Sequence, residues 1–518
     1  MAKSAPADVV AEVQAGYAFT GPALELGALV VDGAADPAAK VRIPLAMTNR
    51  HGLVAGATGT GKTKTLQVLA EQLSAAGVPV FLADIKGDVG GMAVAGTPND
   101  KITERTSEVG QDWQPTAYPV EFYALGGHGT GIPVRATMTA FGPTLLAKVL
   151  GLNQVQESSL NLIFHFADDN ALPLLDIKDL RAVIQYLVSD EGADALKALG
   201  GLSRQTAGVL LREIVKFTDA GAEDFFGEPE FETADLLRTT PDGRGLVSIM
   251  ELPGVAAQPA LFSSFLMWLL ADLFQALPEV GDVERPTLVF FFDEAHLLFK
   301  DASKAFLDSI TQTVRLIRSK GVGIFFVTQT PKDVHADVLA QLGNRVQHAL
   351  RAYTPDDAKK LKATASTFPI SGYDLEEVLT QLGTGEAVIT VLTEKGTPTP
   401  VAWTRLRAPQ SSMDPAPPTT MDSIVRGSAL YPKYAQVVDR ESAYEKLAAR
   451  VVPPASPGPP AEPAAPAGKP PAKAAKAEPT VVEQVLGSSA TKQFLRSAAA
   501  AAGSAIARSI FGTAKRKR

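Results

Sequence analysis

Eight consecutive residues, Gly56-Ala57-Thr58-Gly59-Thr60-Gly61-Lys62-Thr63, fit the spacing GxxxxGK[ST] that cradles a chain of phosphates. Each residue type has a physical role. Glycines let successive N–H groups turn inward around anionic oxygens, and the helix that must follow aims its positive N-terminal end at the same anion. Lys62 adds a point charge for the β- and γ-phosphates. The Thr63 hydroxyl can take one position on an octahedral Mg2+, and Lys64 and Thr65 complete the nucleotide-binding stretch.

A second set of chemical groups comes from Leu288-Val-Phe-Phe-Phe292, an apolar run that ends in Asp293 and Glu294. A buried strand of this kind delivers both acids to its carboxyl end, where open α/β sheets bind ligands. Asp293 is then the expected Mg2+ ligand and Glu294, pointing the other way, the expected general base for an attacking water. Solvated acids capping the next helix are the plain alternative. About 35 residues on, Val322-Gly-Ile-Phe-Phe-Val327 ends in Thr328-Gln329. If this strand lies beside the acid-bearing one, Gln329 reaches the γ-phosphate or the water; otherwise it is a turn residue.

The elements that must hold these groups are legible as periodicities. Leu53–Ala55 reads as the strand before the glycine loop, Leu66, Leu69, Ala70 and Leu73 mark a helix over about 62–76, and Val78–Ala83 is the next buried strand. The same alternation returns at 287–292, 303–319, 322–327 and 345–351. It predicts an α/β fold with a mainly parallel sheet. Residues 141–241 read as an inserted, mostly helical subdomain, and 386–392 with 400–406 as closing strands.

Composition narrows the classes. The chain has 518 residues, 46% apolar and 20% charged, so a large core can form without metals or disulfides. A net charge of −7 excludes a general polycation, so any nucleic-acid contact must use a local patch. With no cysteine there is no disulfide framework or thiolate zinc site, and the six histidines lack metal-ligand spacing. The N-terminus carries no secretory pattern, and the longest apolar run, 260–271, is shorter than a bilayer span. The expectation is a cytoplasmic protein with no integral membrane segment.

Taken together, Gly56–Thr63, the Asp293-Glu294 strand and the Thr328-Gln329 strand, separated by a long helical insertion, resemble the HerA/FtsK branch of P-loop ATPases, and more narrowly the bacterial HerA-like group. The likeness covers roughly residues 25–407. It implies a RecA-like core, ATP and Mg2+ as cofactors, a homo-oligomeric ring, commonly a hexamer, and often DNA as the translocated polymer. Such rings insert an arginine from a neighbouring copy, for which Arg345 and Arg318 are the preferred candidates and Arg315 a third. Asp84-Ile-Lys-Gly-Asp88 matches the family's acidic segment, so Asp84 and Asp88 either line the pocket or are loop acids. About 50 residues precede the glycine loop, fewer than the β-barrel of full HerA proteins requires. Asp293-Glu-Ala-His296 also spells a helicase box, but too little chain follows for the second domain those helicases need.

The expected organisation is an N-terminal extension (1–24), a core in two parts (25–140 and 242–410) around the helical insertion (141–241), and a C-terminal extension (411–452). A Pro/Ala-rich linker follows at 453–479, in which ten of 27 residues are proline. An amphipathic helix with a basic end closes the chain at 480–518. Two functions follow from different classes: an ATP-driven motor on nucleic acid, or a regulatory ATPase whose nucleotide state controls a protein partner through the tail.

Overall fold

Apolar runs with no polar face must be covered on both sides, and here they form the centre of one large sheet. The computed structural model of the chain describes residues 7–199, 202–300 and 302–451; the predicted linker 453–479 and the predicted terminal helix 480–518 lie outside them. The strands, in chain order, are β1 (Ala23–Val31), β2 (Ala34–Pro44), β3 (Gly52–Ala55), β4 (Val80–Asp84), β5 (Val120–Leu125), β6 (Ile132–Val134), β7 (Val247–Glu251), β8 (Leu288–Phe292), β9 (Val322–Thr328), β10 (Asn344–Gln347), β11 (Glu386–Thr390) and β12 (Ala402–Leu406). They pair in the order β2-β1-β12-β11-β10-β3-β9-β8-β4-β7-β5-β6.

From β10 to β6 every neighbouring pair is parallel, whereas β2, β1, β12 and β11 add an antiparallel wing. The mixed α/β architecture with a mostly parallel sheet is the one expected from the alternating pattern. β4, β7, β8 and β9 are buried at every position. Their phenylalanines stack between strands: Phe81 on Phe290, Phe291 on Phe325 and Phe292 on Phe326. Aromatic pairs of this kind contribute about 0.5–1.5 kcal/mol each beyond their burial.

Some limits differ from those expected. The first hairpin is longer than the segments 28–31 and 41–45, because Glu25 and Gly27 interrupt the apolar residues of β1 and the first five positions of β2 are exposed or half-buried. The strand expected over 345–351 ends at Gln347, and His348 makes one last bond, its N–H donating to the Ala55 carbonyl, before the chain turns away.

The segment 138–219 carries the expected helices, the longest being Gln154–Asp169, with a complete capping box at Asn153, and Arg204–Asp219. The end of the segment 411–451 returns to this region. The helix Ala443–Val451 packs on Ile177–Val188, Ser442 donates to the buried Asp179 carboxylate, and Tyr434 is buried against Phe231. The helix Pro259–Ala276 is long and apolar enough to cross a membrane by length and composition, and here its apolar residues are buried against the helices Met138–Val149 and Lys304–Ile317.

One polar clamp inside this core has a measurable consequence. His51 is fully buried just before β3, where its Nδ1 accepts the Ile324 N–H at 3.0 Å and its Nε2–H donates to the Val314 carbonyl at 2.7 Å, tying β9 to the helix Lys304–Ile317. Burial, with the nearby Arg318 and Arg50 opposing a second positive charge, holds its pKa down at about 4. The folded chain therefore keeps His51 neutral where the unfolded chain would protonate it, so its contribution is complete above pH 6.5 and is lost as the pH falls toward 4. Between pH 7 and 5 this group alone should cost about 2 kcal/mol. Glycine accepts the backbone at this position (φ 61°, ψ 167°) and does not titrate, so denaturation of a His51→Gly variant should show a pH dependence shallower by that amount. An unchanged slope would contradict the assignment.

Candidate functional site

The carboxyl ends of β3, β9, β8, β4 and β7 lie in a row, and the polar groups read from the sequence sit on that one edge. β3 runs into the glycine loop, whose Gly56, Gly59 and Gly61 all take positive φ (154°, 78° and 115°). This region favours residues without a Cβ. Thr58 and Gly59 are exposed at the tip, Ala57 and Thr63 half-buried, and Thr60 and Lys62 buried. Gly61 is the N-cap of the helix Lys62–Ala75 and no side chain caps that end, so its N–H groups remain available to an anion.

Lys62 Nζ lies over the loop, donating to the carbonyls of Gly56 at 2.7 Å and Ala57 at 3.1 Å. Burial lowers its pKa, and Lys86 lowers it further, while the Glu294 and Asp293 carboxylates oppose both. These four charged groups therefore share one space. Lys64 is tied away from the loop, donating to Met413 O at 2.6 Å. Thr65 Oγ1 shares a hydrogen bond with His348 Nε2 at 2.9 Å.

β9 lies between β3 and β8, pairing with both. Its end holds the two halves of the site together: the Gly56 N–H donates to the Thr328 carbonyl at 3.2 Å, and the Ala295 N–H to the Val327 carbonyl at 2.9 Å. Gln329 follows with an exposed side chain. Asp293 and Glu294 leave β8 beside it. Asp293 Oδ1 accepts the Glu294 N–H at 2.9 Å, and burial pushes the Asp293 carboxyl up to about 6, with Lys86 pulling down and Glu294 pushing up. Glu294 adopts φ 47°, a conformation that costs a residue with a long side chain about 1 kcal/mol or more. That turn aims its carboxylate at Lys86, whose Nζ lies 2.8 Å from Oε1. Oε2 is buried, 3.3 Å from His296 Nδ1, and accepts no hydrogen bond.

The acidic segment after β4 divides its work. Asp84 accepts the N–H groups of Lys86, Gly87 and Asp88 on Oδ1 and of Val89 on Oδ2, so its carboxylate builds the turn. Glu251, its register partner at the end of β7, is pushed up to about 8 by burial and by the Asp84 charge.

The arginines lie elsewhere. Arg318 follows the helix that leads into the start of β9, at the opposite edge of the sheet, 3.6 Å from Asp282. Arg345 begins near the start of β10 and donates to the Thr367 carbonyl at 2.7 Å, and Arg315 is exposed on the helix preceding Arg318. None of the three shares the edge that carries the glycine loop of its own chain.

Three residues at or beside the site escaped sequence reading. Lys86 and Glu251 are single charged residues next to strands and carry no spacing signal. His348 is separated from the glycine loop by nearly 300 residues, and only the pairing of β10 with β3 brings it there. It is fully buried, held down at about 4 by burial and by the Lys62 charge. Its Cβ occupies the space a side chain at Gly56 would need, 2.5 Å from a Cβ built there.

For a metal, Thr63 and Asp293 supply a hydroxyl and a carboxylate. Among the described residues no group of three or more His, Cys, Asp or Glu could hold an ion alone. Few hard oxygen donors, with phosphates and water left to fill the shell, is the donor chemistry that suits Mg2+.

A phosphate loop, a central strand between it and a paired-acid strand, and the mostly parallel sheet define a P-loop NTPase with a RecA-like core. The bacterial conjugative coupling protein TrwBdeltaN70, in its unbound monoclinic form, has the same fold: TM-score 0.50 and 16% identity, over 79% of this chain and 94% of that one. The sequence model described as helicase HerA-like C-terminal matches residues 30–518, and the chain belongs to that family. It is also similar to the DNA double-strand break repair helicases HerA of Sulfurisphaera tokodaii, with 24% identity, and Sulfolobus acidocaldarius, with 22%. Each alignment covers 68% of this chain and 64% of the relative, so the chain spans just under two thirds of their length.

The close packing of Gly56 on His348 yields a test. A Gly56→Ala variant must displace the loop or the histidine, and Mg-ADP affinity by calorimetry should fall at least about tenfold, or about 1.4 kcal/mol. Far-UV circular dichroism should stay unchanged. Wild-type affinity in a folded variant would separate the loop from nucleotide binding.

Proposed function

We propose that this protein hydrolyses ATP with Mg2+ and uses the energy to move along DNA as a ring of identical copies, with a hexamer favoured. The observation that carries the reading is the meeting, across β9, of the glycine loop with Lys62 and the Asp293-Glu294 turn. The loop N–H groups, the helix N-terminus and Lys62 bind the triphosphate. Thr63 and Asp293 would hold Mg2+, which would supply charge neutralisation to the phosphates. Glu294 orients a water and takes its proton as the water oxygen bonds to the γ-phosphorus and the bond to the β,γ-bridging oxygen breaks, so that ADP leaves. Gln329, one strand closer to the loop, contacts the water or the γ-phosphate.

Arg345 or Arg318 would act on the site of a neighbouring copy, because neither lies on the nucleotide edge of its own chain. DNA as the polymer is supported by the HerA relatives, whose names describe DNA double-strand break repair helicases. The fold neighbour supports only the architecture.

Glu294→Gln should lower kcat at least about hundredfold while leaving Mg-ATP binding within about threefold of wild type, whereas Lys62→Ala should lose both. Full turnover by Glu294→Gln would remove this residue from the base role. Duplex DNA should raise the ATPase rate of the wild type, with the stimulation falling as salt rises. A rate indifferent to DNA, together with ATP-dependent capture of a protein partner, would instead favour a regulatory ATPase.

A further inference from the structure

The acid assigned to activate water already has a partner. Lys86 Nζ lies 2.8 Å from Glu294 Oε1, and the other carboxylate oxygen makes no hydrogen bond. The two ends of this pair are held very differently. Glu294 is mostly buried, in a left-handed backbone turn closed by the Asp293 carboxylate and by the Ala295–Val327 bond. The Lys86 backbone is pinned by Asp84, but its side chain is close to half-exposed and makes no hydrogen bond to the backbone. Its ammonium is therefore the mobile member. It also lies close enough to Lys62 for the two positive charges to act on one another, and Asp293 and Asp88 attract it as well.

We infer that Lys86 is a positioning residue for the general base: it holds Glu294 in an ion pair until a γ-phosphate competes for the ammonium, and the carboxylate thus released turns to the attacking water. This rests on the reading of Glu294 as the base. The physical reason is charge. A carboxylate with an ammonium hydrogen-bonded to it is both neutralised and misdirected, whereas a γ-phosphate beside Lys62 brings more negative charge than Glu294 offers to the same cation. A diphosphate, which lacks that group, leaves the pair closed. The device would link release of the base to the presence of the phosphate that is to be transferred.

The test compares cryo-electron microscopy maps of the full chain with Mg-ADP and with Mg plus a non-hydrolysable ATP analogue. With ADP, Lys86 should remain within about 3 Å of Glu294; with the analogue it should lie on the γ-phosphate, with Glu294 turned toward the water. A pair that stays closed with the analogue, or is already open with ADP, overturns the inference. In Lys86→Met, Glu294 should take the released orientation with ADP as well, while Lys86→Arg should retain the closed pair. Turnover separates the roles. Because Lys86 also meets the γ-phosphate, Lys86→Met should lose about tenfold in kcat, well short of the loss of about a hundredfold or more in Glu294→Gln. If both variants are equally inactive, Lys86 takes part in the chemistry itself and the inference fails. If Glu294→Gln still turns over, the base assignment fails first.

Discussion

The site depends on the end of a single strand. β9 is buried along its whole length, and its last two carbonyls, those of Val327 and Thr328, accept one N–H from the acid turn and one from the glycine loop. Both loops are thereby referenced to one rigid element, so that the backbones of the glycine loop and the acid turn are held in register with each other. Hydrogen bonds in a strand interior leave little slack, because each backbone group has one acceptable partner and no water competes for it. The phenylalanine stacks of β4, β8 and β9 fix the spacing beneath this edge, and His51 ties β9 to the helix on one face of the sheet.

Charge sets the behaviour of the edge. Two lysines and two acids share a region in which the acids are mostly buried and Lys86 is close to half-exposed, and their charges act on one another. Asp84 is withdrawn from this set by its four backbone partners, and Glu251 by a carboxyl pushed up to about 8. What remains facing Lys62 is a small, nearly balanced group that an incoming polyanion must disturb. A phosphate site of this kind is defined as much by which acids are neutralised as by which cations are present.

The arginines make a contrasting point. Arg318 and Arg345 sit toward the other edge of the sheet, engaged by Asp282 and by the Thr367 carbonyl. Their use on a triphosphate requires a second copy of the chain, which is consistent with the ring proposed for this protein. The C-terminal segment to residue 451 begins against the helix Lys62–Ala75, where Lys64 donates to Met413 O and Gln67 to Ser411, and ends on the helical region, where Ser442 donates to Asp179.

The motif Gly56–Thr63, the two apolar strands ending in Asp293-Glu294 and Thr328-Gln329, and the α/β alternation were legible in the sequence, because glycine conformational freedom, strand burial and helix periodicity are local properties. The antiparallel wing was only partly legible, since polar residues and glycine interrupt β1 and the exposed first half of β2 imitates a loop. Tertiary structure decided what local rules cannot express. It placed β9 between the two halves of the site, set His348 beneath Gly56 across nearly 300 residues of chain, and brought Lys86 to Glu294 across some 200. The reason is that contacts between parallel strands depend on crossover order and register, which no spacing within one segment encodes.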